Sequence, residues 1–300
     1  MKAVMTNSLE AWLLASRPKT LGAISCPVIL SSALAYAHGH FVLGIMVVTL
    51  ICAFLLQILA NVINDYGDFL TGSDTKNRLG PPRALQMGWI TPRAMQMGIL
   101  ILVFIIATLG LVLVYRGGMP IFIIGLLSIA LCFWYTMGPK PLSYLGFSEI
   151  AILLFFGPLP IFGTYYLQSL SLAPELLALS LTPACLSTAL IMANNLRDIE
   201  QDKRSDKRTL AVRYGERFSR FAIVLLVIFA LSSPLMLVIM YRYPWWLLIC
   251  CLSLMPAIKS LTILREPISA RYNLMFGGIG QALYALSIGL GLGIIYGAPQ

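Results

Sequence analysis

Apolar residues along this chain fall in long unbroken runs, separated by short polar stretches. Nine runs, at about 20–37, 41–64, 92–115, 119–138, 147–167, 174–197, 219–241, 244–263 and 273–296, predict membrane-crossing helices. A helix needs roughly 20 apolar residues to cover the hydrocarbon core. Strands of a membrane barrel would instead show short alternating segments. The last run contains "GLGLGIIYG", where Gly289 and Gly293 form a GxxxG. That pattern permits close helix contact but is common by chance.

Composition sharpens the picture to an all-α, polytopic membrane protein. The 300 residues are 59% hydrophobic and 11% charged, with a mean hydropathy of +0.85. Soluble domains carry about 25% charged residues. The start, "MKAVMTNSLEAWLLASRPKT", shows no cleavable signal peptide, so insertion is expected through the first membrane helix. All six cysteines lie in apolar runs without a CxxC pair and read as small buried hydrophobes.

The net charge of +9 raises nucleic acid as a partner, and the placement of the charge argues against it. With the N-terminus in the cytoplasm, all of the 21 Lys and Arg residues except Arg116 and Arg242 fall on the cytoplasmic side or at helix ends facing it. Positive residues collect on that side of membrane proteins generally. The outer connections are short. His38 and His40 lie in one of them with no acidic residue nearby in sequence, and read as a plain loop.

Chemistry concentrates on the inner side. Of the 12 acidic residues, Asp65, Asp68 and Asp74 follow the second run, and Asp198, Glu200, Asp202 and Asp206 follow the sixth. Asn61 and Asp65 are four apart, as are Asn64 and Asp68, and Asp198, Asp202 and Asp206 repeat every four. Side chains at that spacing share a helix face, so each cluster projects a stripe of oxygen ligands. Like charges so placed repel unless a cation sits among them. Mg2+ suits hard oxygen ligands and keeps positions for substrate phosphates. Arg83, Lys140 and the basic residues 203–208 are nearby cations suited to phosphate oxygens. A cation-coupled transporter is the rival reading, but transporters place ionisable groups near the bilayer midplane, and these midspans are nearly bare of charge.

"NDYGDFLTGSD" at 64–74 and "NNLRDIEQDKRSDKRT" at 194–209 resemble the two Asp-rich motifs of the UbiA superfamily of intramembrane prenyltransferases. The spacing N-D-x-x-D-x5-D is similar to the naphthoate branch, as are "RPKTL" at 17–21, "GPPRALQMG" at 80–88 and "YTMGPKPLSYLG" at 135–146. The similarity runs to about residue 215, and the hydropathy continues it to the end.

The resemblance implies one nine-helix prenyltransferase domain over 1–300, in a bacterial inner membrane, with a cavity opening to the cytoplasm and sideways to lipid. The implied reaction moves a polyprenyl group from polyprenyl diphosphate to 1,4-dihydroxy-2-naphthoate, with loss of the ring carboxylate as CO2, giving demethylmenaquinone. Another aromatic acceptor, such as 4-hydroxybenzoate, is the alternative. Asn64, Asp65, Asp68, Asp74, Asp198 and Asp202 would hold Mg2+, and Asn64, Arg83, Lys140 and Arg204 the diphosphate. Asp68, Asp198, Asp202 and Lys140 are the expected catalytic groups. Arg17, Lys19 and Tyr135 are the expected contacts of the acceptor.

Overall fold

A computed structural model describes residues 4–72 and 79–298, which are mostly helical, with no strand among them. A short helix α1 (Leu9–Ser16) is capped by Ser8, whose Oγ accepts from the Ala11 amide at 3.2 Å. Arg17 then adopts a left-handed conformation (φ 50°), and Pro18 opens α2 (Pro18–Ala37). Proline suits a first helical position because its missing N–H would have no partner there.

Helix α3 (Leu43–Leu70) is 28 residues long. At 1.5 Å per residue it measures about 42 Å, so its end extends well past a core of about 30 Å. The helix therefore runs beyond the predicted boundary at 64 and carries Asn64, Asp65 and Asp68 of the first acidic motif on its last turns.

Helix α4 (Pro92–Thr136) has 45 residues, twice what one crossing needs. It turns back at Gly118 (φ 66°, ψ −151°), backbone angles that only glycine adopts readily. Met95 and Ile99 from its start, and Cys132 and Phe133 from its end, pack in one cluster with Leu59, Ile63 and Tyr66 of α3. Both arms thus lie on the same end of α3. Among the described residues, eight stretches are long and apolar enough to cross a membrane, and α4 counts twice, which recovers the nine predicted crossings.

The next crossing is broken by Gly157 into α6 (Ser148–Phe155) and α7 (Pro158–Ser169), after a single turn α5 (Leu142–Leu145). Helix α8 (Leu176–Arg197) is the central post, buried along most of its length. A short α9 (Ile199–Arg204) leads to α10 (Leu210–Phe229) and α11 (Ser232–Tyr241), which together make one crossing. The eighth crossing joins a 3₁₀ stretch (Trp245–Leu254), α12 (Met255–Ser260) and a second 3₁₀ turn (Leu261–Arg265). Helix α13 (Tyr272–Gly297) closes the bundle against α2 and α8.

The GxxxG of α13 is used within the chain. A Cβ on Gly289 would lie 3.0 Å from that of Cys250, and one on Gly293 would lie 3.1 Å from Leu247. At the outer end, folding brings Glu175 within 3.8 Å of His38, whose Nδ1 pairs with the Tyr165 hydroxyl at 2.6 Å. The outer histidine therefore has an acidic neighbour that its local sequence does not show.

Candidate active site

The last turns of α3 present two adjacent faces with different work. On one, Asn61 donates to the Ser16 carbonyl at 2.9 Å and to Thr20 Oγ1 at 3.0 Å, bracing the joint between α1 and α2. One turn on, the buried Asp65 accepts from the Ala84 amide at 2.9 Å and anchors the loop that follows α3. On the other face, Asn64 donates to Thr136 Oγ1 at 3.0 Å, and Asp68 lies one turn beyond it. Gly67 lets α4 come this close: a Cβ there would sit 2.8 Å from Thr136 Cγ2.

Asp68 is 1% exposed and meets two cations. Arg83 Nη2 lies 3.0 Å from Oδ2, and Lys207 Nζ lies 2.8 Å from Oδ1. Lys207 therefore bridges the two acidic motifs across 139 residues of sequence. Burial alone would pull the Lys207 pKa down, but the charges of Asp68 and Asp202 outweigh it and leave the ammonium above its ordinary value. The same ammonium stands 5.7 Å from the centre of the Tyr144 ring.

The second motif begins where α8 ends. Arg197 grips Asp198 with two parallel bonds, Nε to Oδ1 at 2.8 Å and Nη2 to Oδ2 at 2.7 Å, and turns Nη1 to Asn273 Oδ1 at 2.5 Å. Such fork-on-fork pairs are charge-assisted and directional. One turn of α9 later, Asp202 is buried at the same end of the bundle.

These groups line one end of a cavity of about 760 Å³. Its other end is apolar, walled by Val28, Leu56, Phe155 and Leu159. Phe104, Leu111 and Phe122 belong both to the wall and to the exposed surface of α4, so the cavity opens sideways between the two arms of that helix.

Of the residues singled out in the sequence, Arg17, Asn61, Asn64, Asp68, Arg83, Tyr135, Asp198, Asp202 and Lys207 line this cavity. Asp65 does not; its carboxylate is turned to the loop backbone. Lys19, Lys140 and Arg204 are exposed and lie outside the lining. Lys140 sits in the turn after α4, where its carbonyl accepts from Trp134 Nε1 at 3.1 Å. Arg204 is two residues from Asp202, about 200° around the helix, and so faces away from it. Asp206 is also exposed. Asp74 lies outside the described residues.

The sequence did not single out Arg197 or the reach of Lys207 to Asp68. Arg197 has a local signal, since it precedes Asp198 directly. Lys207 has none, because its partner is set only by the fold.

Among the described residues, no three His, Cys, Asp or Glu side chains are close enough together to hold a metal by themselves. The repulsion expected within each acidic stripe is answered by protein cations, Arg83 and Lys207 at Asp68 and Arg197 at Asp198. The donors at the charged end of the chamber are nonetheless hard oxygens, from Asn64, Asp68, Asp198 and Asp202; Cys52 and Cys132 also line the cavity, but among its apolar residues. That set fits Mg2+, which takes one or two carboxylates and completes its shell with water and phosphate.

Comparison with known proteins adds independent findings. The model of the UbiA prenyltransferase family matches residues 25–295. A protein of Escherichia coli named 1,4-dihydroxy-2-naphthoate octaprenyltransferase is 42% identical over 213 residues, 69% of each chain. Its namesake in Haemophilus influenzae is 38% identical over 71% of this chain and 72% of its own. A UbiA homolog from Archaeoglobus fulgidus, solved bound to GPP and Mg2+, superposes with a TM-score of 0.68 at 16% identity, covering 95% of this chain and 99% of that one. The fold, a multi-pass helical bundle around one two-ended chamber, and the match along nearly the whole chain agree: this chain belongs to the UbiA prenyltransferase family.

Proposed function

We propose that this protein transfers a polyprenyl group from polyprenyl diphosphate to 1,4-dihydroxy-2-naphthoate, releasing diphosphate and CO2 and giving demethylmenaquinone in its reduced, quinol form in menaquinone biosynthesis. The observation that carries the reading is the single cavity with two chemistries. Its charged end collects Asp68, Asp198, Asp202, Arg83 and Lys207, and its apolar end opens to the side of the bundle. A diphosphate with a long hydrocarbon tail has the same division. The naphthoate acceptor comes from the names of the relatives at 42% and 38% identity.

The whole chain, 1–300, acts as one domain in a bacterial inner membrane, with its N-terminus and the charged end of the cavity on the cytoplasmic side. Its ligands are the prenyl diphosphate, the aromatic acid and membrane lipid, not nucleic acid.

Arg83 and Lys207 receive the diphosphate oxygens, as rigid fork and mobile point charge respectively. Asn64, Asp68, Asp198 and Asp202 hold Mg2+, with Asp74 a further carboxylate on the same segment. When bound, Mg2+ neutralises charge that grows on the departing diphosphate. The allylic C–O bond breaks, and its electrons leave with the diphosphate. The ring carbon bearing the carboxylate attacks the allylic centre, and the electrons of the C–CO2 bond return to the ring as CO2 departs. The apolar wall keeps water from the allylic centre. Arg17, at the lining and held in a left-handed turn, takes the acceptor carboxylate, and Tyr135 lends its ring face beside it.

The test is a product assay. Purified protein in detergent is given Mg2+, a polyprenyl diphosphate and one acceptor at a time, and products are read by mass spectrometry. Prenylated, decarboxylated naphthoate is expected, none from 4-hydroxybenzoate, and none with a chelator present. Product only from 4-hydroxybenzoate, or undiminished product in the chelator, overturns the assignment.

A further inference from the structure

Glu149 is a carboxylate that the mechanism above does not use. It is 3% exposed, in the first turn of α6, and does not line the cavity. A buried carboxylate is costly unless hydrogen bonds satisfy it. Here three donors do so. Oε1 accepts from Asn195 Nδ2 at 2.9 Å and from the Leu210 amide at 3.3 Å, and Oε2 accepts from Ser148 Oγ at 2.7 Å.

The sequence positions of those donors matter. Asn195 lies just before Asp198, and Leu210 just after Lys207. One carboxylate oxygen thus ties together the two ends of the excursion 196–209, which carries Asp198, Asp202 and Lys207. The neighbouring turn reinforces the downstream end. Arg213 Nη2 donates to the Leu145 carbonyl at 2.5 Å, and a Cβ on Gly146 would lie 2.5 Å from the Arg208 carbonyl. Fixing the two ends of a loop removes most of the conformations its middle can sample.

We propose that Glu149 is a positioning residue for the diphosphate end of the cavity: by closing the neck of 196–209 it sets where Asp198, Asp202 and Lys207 stand relative to Asp68. The inference rests on reading that end of the cavity as the diphosphate site. Glutamine can replace glutamate in this role. Its Oε1 still accepts from Asn195 and Leu210, and its Nε2 can donate to the Ser148 oxygen. Alanine cannot.

The experiment compares wild type, Glu149→Gln and Glu149→Ala in detergent, by three readouts. These are KM and kcat for the prenyl diphosphate, binding of inorganic diphosphate with Mg2+ by calorimetry, and amide exchange across 198–209. Glu149→Ala is expected to raise KM and weaken diphosphate binding at least about tenfold, as loss of an outer-shell partner does, and to speed exchange in 198–209. Glu149→Gln is expected to stay within about threefold of wild type on all three. Unchanged KM and exchange in Glu149→Ala overturns the proposal. So does a Glu149→Gln variant as impaired as Glu149→Ala, which would make the charge itself the requirement. If Glu149→Ala does not fold, Glu149→Asp, one methylene too short to reach both donors, is judged by the same readouts. Calorimetry and exchange need no acceptor, so they judge Glu149 whatever the wild-type product assay gives. A wild type that binds no diphosphate would instead sink the reading of the cavity.

Discussion

Asp68 shows how much one side chain holds at this site. Both of its oxygens are taken by cations drawn from separate parts of the chain. Asparagine keeps the shape but offers a single acceptor oxygen, and its amide would face one cation with another donor. On the proposed reading of the site, Asp68→Asn is therefore expected to lower turnover at least about 100-fold, by misplacing the two cations that would meet phosphate and removing a carboxylate that would hold the metal. Buried cations left unneutralised also cost stability, about 3 kcal/mol where one partner of a buried pair is removed. Product formation and thermal unfolding, measured on the same preparation, separate the two effects. Activity within tenfold of wild type in a stably folded variant would remove Asp68 from the centre of the site. At this scale the sequence was a good guide to residue type and a poor one to direction. The i, i+4 spacing rightly grouped Asn64 with Asp68 and Asn61 with Asp65. It could not say that Asn61, Asn64 and Asp68 reach the chamber while Asp65 turns to the following loop, because that depends on how α3 is rotated against α1, α2 and α4. Lys140 and Arg204 have suitable chemistry in suitable loops, yet both point to solvent.

The elements were read more securely than their ends. Nine crossings follow from the length of the apolar runs, since each needs to match the thickness of hydrocarbon. What that argument cannot see is where a crossing bends or continues into water. α3 runs on to Leu70, α6 and α7 break at Gly157, and the eighth crossing is wound partly as 3₁₀ helix. The end of α3 packs on α4, Gly157 sits against Ala184 of α8, and the eighth crossing packs on α13; none of these contacts shows in local hydropathy. The turn in α4 is the element on which the lateral opening depends, because the opening lies between its arms. Gly118 has angles that cost an L-residue of the order of 1–3 kcal/mol. Gly118→Ala is accordingly expected to lower thermal stability by about that amount, read as unfolding of detergent-solubilised protein, whereas Gly110→Ala on the same helix, with no atom within 4 Å of the new Cβ, should not. Equal stability of Gly118→Ala and wild type would mean that the turn tolerates other backbone angles.

At the scale of the whole molecule, the bundle has a charged end and a greasy side, and the two together bear on the proposed orientation. The prenyl tail can enter from lipid between the arms of α4, past Phe104 and Phe122. The diphosphate and the aromatic carboxylate cannot cross hydrocarbon at useful rates, because moving an ion there is so unfavourable. The end bearing Asp68, Arg83 and Lys207 must then face the compartment where both charged substrates are held. Excess Lys and Arg on the same end, in the segments around Lys203 and Arg213, support the proposed cytoplasmic placement of that end by a separate physical effect. The two arguments use different residues and reach one answer. Exposed sites at opposite ends can test it: Lys203, whose side chain is 49% exposed, and His40 in the outer turn. A membrane-impermeant maleimide is expected to label Lys203→Cys only in inside-out vesicles and His40→Cys only in right-side-out ones. Of the native cysteines, Cys52 and Cys132 line the cavity, so both are first replaced by alanine; the other four lie in apolar crossings away from it. The opposite pattern would place the charged end outside, away from the substrates' compartment, and would defeat the substrate argument along with the charge argument.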